Sequence, residues 1–206
     1  MGVRAIRFFL LYLVLKHSFL SMHHIVIISS SVRTGRNSNR VALFFKRYIE
    51  ENKRATVEIL DLQEYQFPVF EERLKHQKNP PEQAVAFADK VRAAAGVLIV
   101  TPEYNGGYPA SLKNVVDLLT DEWKRKPVAI STVSAGPFGG MQVITSLQYS
   151  LWKLQAWTVP ALFPVPKVSE NFDADGNPAD KAGTEKRAKA FIDELLWCVE
   201  AGNKMK

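Results

Sequence analysis

Three polar stretches of the chain combine residue types that could hold an anionic, planar ligand. The first, Ser29-Ser30-Ser31-Val32-Arg33-Thr34-Gly35-Arg36-Asn37-Ser38-Asn39, sets hydroxyls and two arginines directly before a helical pattern. A helix amino terminus supplies free backbone N–H groups and the positive end of the helix dipole, and arginine adds charge-assisted hydrogen bonds, so a phosphate monoester suits it. A polar loop with Ser38 as helix N-cap would account for the same residues without a ligand. The spacing is neither G-x-G-x-x-G nor G-x-x-x-x-G-K-[ST], which removes support from dinucleotide and nucleoside triphosphate readings. The second stretch is Pro102-Glu103-Tyr104-Asn105-Gly106-Gly107-Tyr108. Its proline stiffens the backbone, and its glycines let N–H groups approach a flat ligand closely. Tyr104 and Tyr108 offer ring faces and hydroxyls, while Asn105 can donate and accept at once, as a heteroaromatic edge requires. Glu103 reads either as a ligand contact or as a carboxylate capping the next helix. The third stretch, Ser134 to Gly140, carries Gly136, Gly139 and Gly140, which suit a tight turn or a backbone laid against a ring edge.

The elements around these stretches alternate. Ile25 to Ile28 is an apolar run, and a helical pattern follows from Ser38 to Asn52 with Val41, Phe44, Phe45, Tyr48 and Ile49 on one face. Thr56 to Leu60 reads as a second strand and Asp61 to Asn79 as an irregular connection. Glu82 to Ala94 is helical and leads into Val97-Leu98-Ile99-Val100, a buried parallel strand by its β-branched composition. After the second polar stretch, Pro109 opens a helix bearing Leu112, Val115, Val116 and Leu119. Pro127 to Val133 is a fourth strand, Met141 to Lys153 a helix, Ala156 to Phe163 a short fifth strand, Asp173 to Asn177 a turn, and Lys181 to Glu200 a last helix. Strands alternating with helices predict an α/β fold with a parallel sheet covered on both faces. With five strands and right-handed crossovers, the flavodoxin-like doubly wound order 2-1-3-4-5 is the simplest. In that order the loops after strands one, three and four meet at one edge, and these loops are the three polar stretches.

Composition narrows the chemistry. The chain has 206 residues, 47% apolar and 23% charged, as in an ordinary globular domain. Its net charge of +6 comes from scattered Lys and Arg without a basic, aromatic-interleaved stripe, so nucleic acid is not an expected partner. The lone Cys198 allows no intrachain disulfide and no Cys-based metal cluster, which suits a reducing, cytoplasmic setting. It also removes a cysteine-dependent phosphatase, whose nucleophile would have to precede the first loop. No metal site is expected: the histidines are scattered or paired only as His23-His24, and Asp173, Asp175 and Asn177 lack the other ligands of a calcium loop. Residues 1–21, with Arg4 and Arg7 before Phe8 to Leu15, resemble a signal peptide's first half, but the apolar run is too short to span a bilayer. They read as an extension or mis-assigned start outside the fold, with residues 22–206 forming one domain and no stable membrane association.

With these residues in view, the chain resembles the NADPH-dependent FMN reductase family, flavodoxin-like proteins that include quinone reductases, azoreductases and chromate reductases. The likeness is carried by Ser31-x-Arg33 followed by Ser38, by T-P-E-Y-N-G-G-Y-P-A-S-L-K-N over residues 101–114, and by the glycine loop after strand four. Ser30 stands where the family usually has glycine. The resemblance implies FMN phosphate contacts from Ser31, Arg33, Arg36, Ser38 and Asn39. It implies isoalloxazine contacts from Pro102, Glu103, Tyr104, Asn105 and Gly106, with Ser134, Gly136 and Gly139 closing the other side. It further implies hydride passing from NADPH (or NADH) through FMN to a small acceptor such as a quinone, azo compound or free flavin, in a ping-pong cycle without a catalytic side chain. A homodimer with Lys113, Asn114 and Asp117 at or near the interface is implied as well. A flavin-binding electron carrier or redox sensor without efficient turnover would present the same residues.

Overall fold

The computed structural model describes residues 22–205; the reading of residues 1–21 as an extension lies outside them. Five strands form one all-parallel sheet in the order β2-β1-β3-β4-β5, with β1 His24–Ser29, β2 Thr56–Asp61, β3 Gly96–Pro102, β4 Pro127–Val133 and β5 Trp157–Val165. This is the expected flavodoxin-like topology. The helices are α1 Ser38–Glu51, α2 Leu62–Tyr65, α3 Glu82–Ala93, α4 Ala110–Leu118, α5 Val143–Lys153, α6 Val168–Asn171 and α7 Lys181–Lys204.

Side chains alternate across a strand, so a strand covered on both faces is apolar over a near-continuous run of positions. On β1 and β3, Ile25, Ile27, Leu98 and Val100 pack with Phe44, Phe45 and Phe191 of α1 and α7. The alternate residues Val26, Ile28, Val97 and Ile99 pack with Phe87, Val115 and Leu147 of α3, α4 and α5. At Gly96 an added Cβ would lie 2.8 Å from Val199 Cγ2, so the glycine lets α7 close onto the sheet. Cys198 is buried in the α1–α7 layer; burial first, and then Glu194, push its thiol pKa up and leave it an inert packing group.

Two elements differ from expectation. The fifth strand is nine residues long, and its pairing with β4 shifts register between Val128 and Ile130. Pro160 lies in that irregular stretch, where a missing N–H costs no ladder bond on an edge strand. The connection after β2 holds α2 and a 3-10 turn at Leu74–His76, both shorter than the window in which periodicity can be read.

Candidate functional site

The carboxyl ends of β1, β3 and β4 are neighbours, so the three polar loops converge at one end of the sheet. Side chains connect them. Ser31 Oγ and Tyr104 Oη lie 2.7 Å apart and join the first loop to the second. Glu103 Oε2 accepts the Gln142 N–H at 3.2 Å and joins the second loop to the segment after the third. Glu103 therefore does not cap α4, which begins behind Pro109 with no side-chain cap.

The first loop leaves β1 through three fully buried serines. Ser29 Oγ donates to Asn39 Oδ1 at 3.0 Å, and Ser111 Oγ of α4 donates to the Ser30 carbonyl at 2.6 Å. Gly35, at φ +69°, turns the chain back so that Arg36 N–H reaches the Arg33 carbonyl at 3.2 Å. The start of α1 differs from the capped start considered above. Asn37 holds the N-cap position with no side-chain cap bond, and Ser38 is the first helical residue. Ser38 is 3% exposed, yet its Oγ has no hydrogen-bond partner among the described residues. An uncapped helix start with a buried, unpaired hydroxyl is set up to receive an acceptor-rich anion.

The two arginines part company. Arg33 is exposed, with no side-chain partner among the described residues. Arg36 is drawn inward and paired through both Nη atoms with Asp61 at the end of β2.

In the second loop, Asn105 and Gly106 are the two central residues of a tight hairpin. Their φ angles are +53° and +79°, and Tyr104 and Gly107 exchange N–H···O bonds of 2.8 and 3.1 Å. Two consecutive positive φ values select Asn-Gly, so the backbone alone accounts for these two residue types. Tyr108 turns away to α5, where its hydroxyl lies 2.9 Å from Ser150 Oγ.

In the third loop, Ser134 Oγ donates to the Gly136 carbonyl at 2.9 Å, closing the turn on itself. Gly136 is open to solvent. Gly139, at φ +64°, packs against the end of β5, where an added Cβ would lie 3.0 Å from Pro164 Cβ. An added Cβ on Gly140 would lie 3.4 Å from Glu103 Cβ, so glycine there lets the second and third loops approach.

All the expected loop residues thus gather at one end of the sheet, but Arg36, Asn39, Ser134 and Gly139 are also committed to local structure. Three contributors were not singled out in the sequence reading: Asp61, Ser111 and Gln142. Asp61 alone had a usable signal, a carboxylate directly after the predicted strand Thr56 to Leu60.

Beside the first loop lies a groove of about 700 Å³ whose walls include Val32, Leu62, Phe67, Phe70 and Asn114. Asn114 braces it, accepting from Phe70 N–H at 2.5 Å and donating to the Pro68 carbonyl. Lys113 and Asp117 pair with each other along the exposed side of α4.

An uncapped helix start, a stiff hairpin and a glycine turn together at the carboxyl edge of a five-stranded parallel sheet define a flavodoxin-like domain with its candidate ligand site at that edge. The family model of NADPH-dependent FMN reductase matches residues 23–170. The chain belongs to that family. It is an oxidoreductase, with FMN and NAD(P)H as its cofactors. It is 33% identical over 142 residues to the NAD(P)H-dependent FMN reductase LOT6 of Saccharomyces cerevisiae, covering 63% of this chain and 73% of that protein. It is 28% identical over 186 residues to a quinone reductase of Pseudomonas putida, covering 87% and 96%. Among solved structures, the flavoenzyme NAD(P)H:(acceptor) oxidoreductase FerB of Paracoccus denitrificans superposes with a TM-score of 0.70 at 21% identity, covering 86% of this chain and 98% of that one; it shares the fold. No helix among the described residues is long and apolar enough to cross a membrane.

Proposed function

We propose that this oxidoreductase holds FMN across the three loops and reduces a small acceptor, a quinone, azo compound or free flavin, at the expense of NADPH or NADH. The observation that carries the reading is the Ser38 hydroxyl, buried and unpaired at an uncapped helix start. A phosphate there would accept from Ser38 Oγ and the first free N–H groups of α1, with Ser31 and Asn39 at its flank and Arg33 adding charge. The hairpin Pro102 to Gly106 would lie along the ring, with Tyr104 anchored to Ser31 and Glu103 to Gln142. Ser134, Gly136 and Gly139 would close the other side. Because Gly106 and Gly139 shape their loops by positive φ, their contribution is backbone placement.

Held by these loops, FMN would supply hydride-transfer chemistry between nicotinamide and acceptor. The protein's part is binding, orientation and electrostatics. Backbone N–H groups of the second and third loops would stabilise negative charge on the reduced ring, and no side-chain acid or base is needed. One site serving donor and acceptor in succession gives ping-pong kinetics. We place the enzyme in the cytoplasm as a homodimer with α4 at or near its interface.

The test begins with colour. Purified protein should be yellow, with an absorbance band at about 450 nm from bound flavin, and should oxidise NADPH with menadione faster than free flavin does. Protein that stays colourless and takes up no FMN would refute the binding reading. A yellow protein with no turnover above the flavin control would instead be a carrier or sensor.

A further inference from the structure

Arg36 has the residue type of a phosphate ligand but the surroundings of a structural group. Its Nη1 and Nη2 each bond a different oxygen of Asp61. Nη1 also donates to the Ser31 carbonyl at 2.8 Å, so both of its hydrogens are used inside the protein. Asp61 Oδ1 additionally accepts the Gln63 N–H at 3.0 Å, capping α2. The two side chains are only 13% and 10% exposed. Withdrawing two charges from water costs about as much as their attraction returns, so such a pair adds little net stability. What it does add is geometry. One bidentate unit ties the end of β2, the start of α2 and the backbone of the first loop at the residue whose hydroxyl reaches Tyr104.

We infer that the Asp61–Arg36 pair is a strut that preforms the cofactor loop: Arg36 is a positioning residue, Asp61 its anchor, and direct charge contact with the phosphate falls to Arg33. The inference rests on the FMN reading above. Through Gln63, the same strut fixes α2, and with Leu62 one wall of the neighbouring groove.

The rival arrangement, in which Arg36 turns to the phosphate, predicts an opposite sign. Asp61 would then compete with phosphate for Arg36, and Asp61→Asn would tighten FMN binding. A strut predicts that Asp61→Asn weakens it.

The test titrates flavin-stripped protein with FMN, following flavin fluorescence, for Asp61→Asn, Arg36→Gln, Arg36→Lys, the Asp61→Asn/Arg36→Gln double variant and Arg33→Ala. Each single change at the strut should raise the FMN Kd about tenfold, as loss of one well-placed charge-assisted bond would. The double variant should be no worse than either single one, because both remove the same unit. Arg36→Lys keeps the charge but cannot bridge both oxygens, and should behave like Arg36→Gln. Arg33→Ala should weaken FMN while leaving riboflavin, which lacks the phosphate, unchanged. Hydrogen exchange on the flavin-free protein supplies a second readout: amides of residues 31–37 and 62–65 should exchange faster in Asp61→Asn. FMN binding that is unchanged or tighter in Asp61→Asn, additive losses in the double variant, or parental affinity in Arg36→Lys would each overturn the strut. Should Asp61→Asn not fold, Arg36→Lys carries the same test. If the parent itself binds no FMN, the cofactor reading fails instead, while unchanged exchange at residues 31–37 and 62–65 would still overturn the strut.

Discussion

Replacing Ser38 by alanine should make the flavin-free protein more stable and the flavin complex weaker. In the flavin-free protein the Ser38 hydroxyl is buried without a partner, a condition that costs about 1–3 kcal/mol. Ser38 is the first residue of α1 and makes no capping bond, so alanine forfeits no cap and gains up to ~0.5 kcal/mol of helix propensity. A net gain of about 1–2 kcal/mol corresponds to a rise in Tm of roughly 2–8 °C for a chain of this size. In the complex the same hydroxyl donates to a charged phosphate, an interaction of about 1.5–3 kcal/mol, and its loss raises the FMN Kd about 10- to 150-fold. Riboflavin has no phosphate, so its affinity should change by less than about twofold. Thermal denaturation of flavin-stripped protein and parallel titrations with FMN and riboflavin check all three. A lower Tm in the variant, or equal losses for the two flavins, would show that Ser38 supports the fold instead of a phosphate.

Two further outcomes follow from the same structure. At the hairpin, Asn105→Gly should leave FMN affinity within about twofold because glycine adopts the +53° φ, whereas Gly106→Ala should destabilise the protein by about 1 kcal/mol of backbone strain; loss of FMN binding in Asn105→Gly would assign the contact to the side chain. Acid should erode stability through the carboxyls the fold holds low, of which Asp173 is fully exposed while Asp193 and Glu122 are partly buried. Lys189 holds Asp193 below the ordinary carboxylate range, with Arg54 assisting against partial burial. Burial pushes Glu122 up, but the N–H groups of Glu122 and Thr120 together with Arg92 outweigh it and leave it low. A depressed folded-state pKa contributes stability above the unfolded value of about 4, lost as pH falls through the folded value. Tm should therefore decline below about pH 5, and Asp193→Asn with Glu122→Gln should flatten that decline; solvent screening keeps the Asp193 share within ~1 kcal/mol. Parallel pH profiles for parent and double variant would remove these two groups as the cause.

The amino-acid sequence alone carried the sheet and the place of the site. Strands β1, β3 and β4 are covered on both faces, so burial leaves apolar runs at residues 25–28, 97–100 and 128–130 that need no tertiary information to read. Regular alternation with amphipathic helices then leaves few chain orders, and the order chosen decides which loops share an edge. The turn chemistry of Asn105-Gly106 is likewise local, because two positive φ angles restrict the residue types at those positions themselves. Tertiary structure decided the partners. Asp61 is 25 residues from Arg36, and Gln142 is 39 from Glu103. Whether each arginine or carboxylate faces a ligand or another side chain depends on which strand ends become neighbours, and no local periodicity records that. The unpaired Ser38 hydroxyl is the clearest case. A serine near a helix start reads as a cap in sequence, and only its burial, one residue past the N-cap position, leaves it pointing to something the chain itself does not provide.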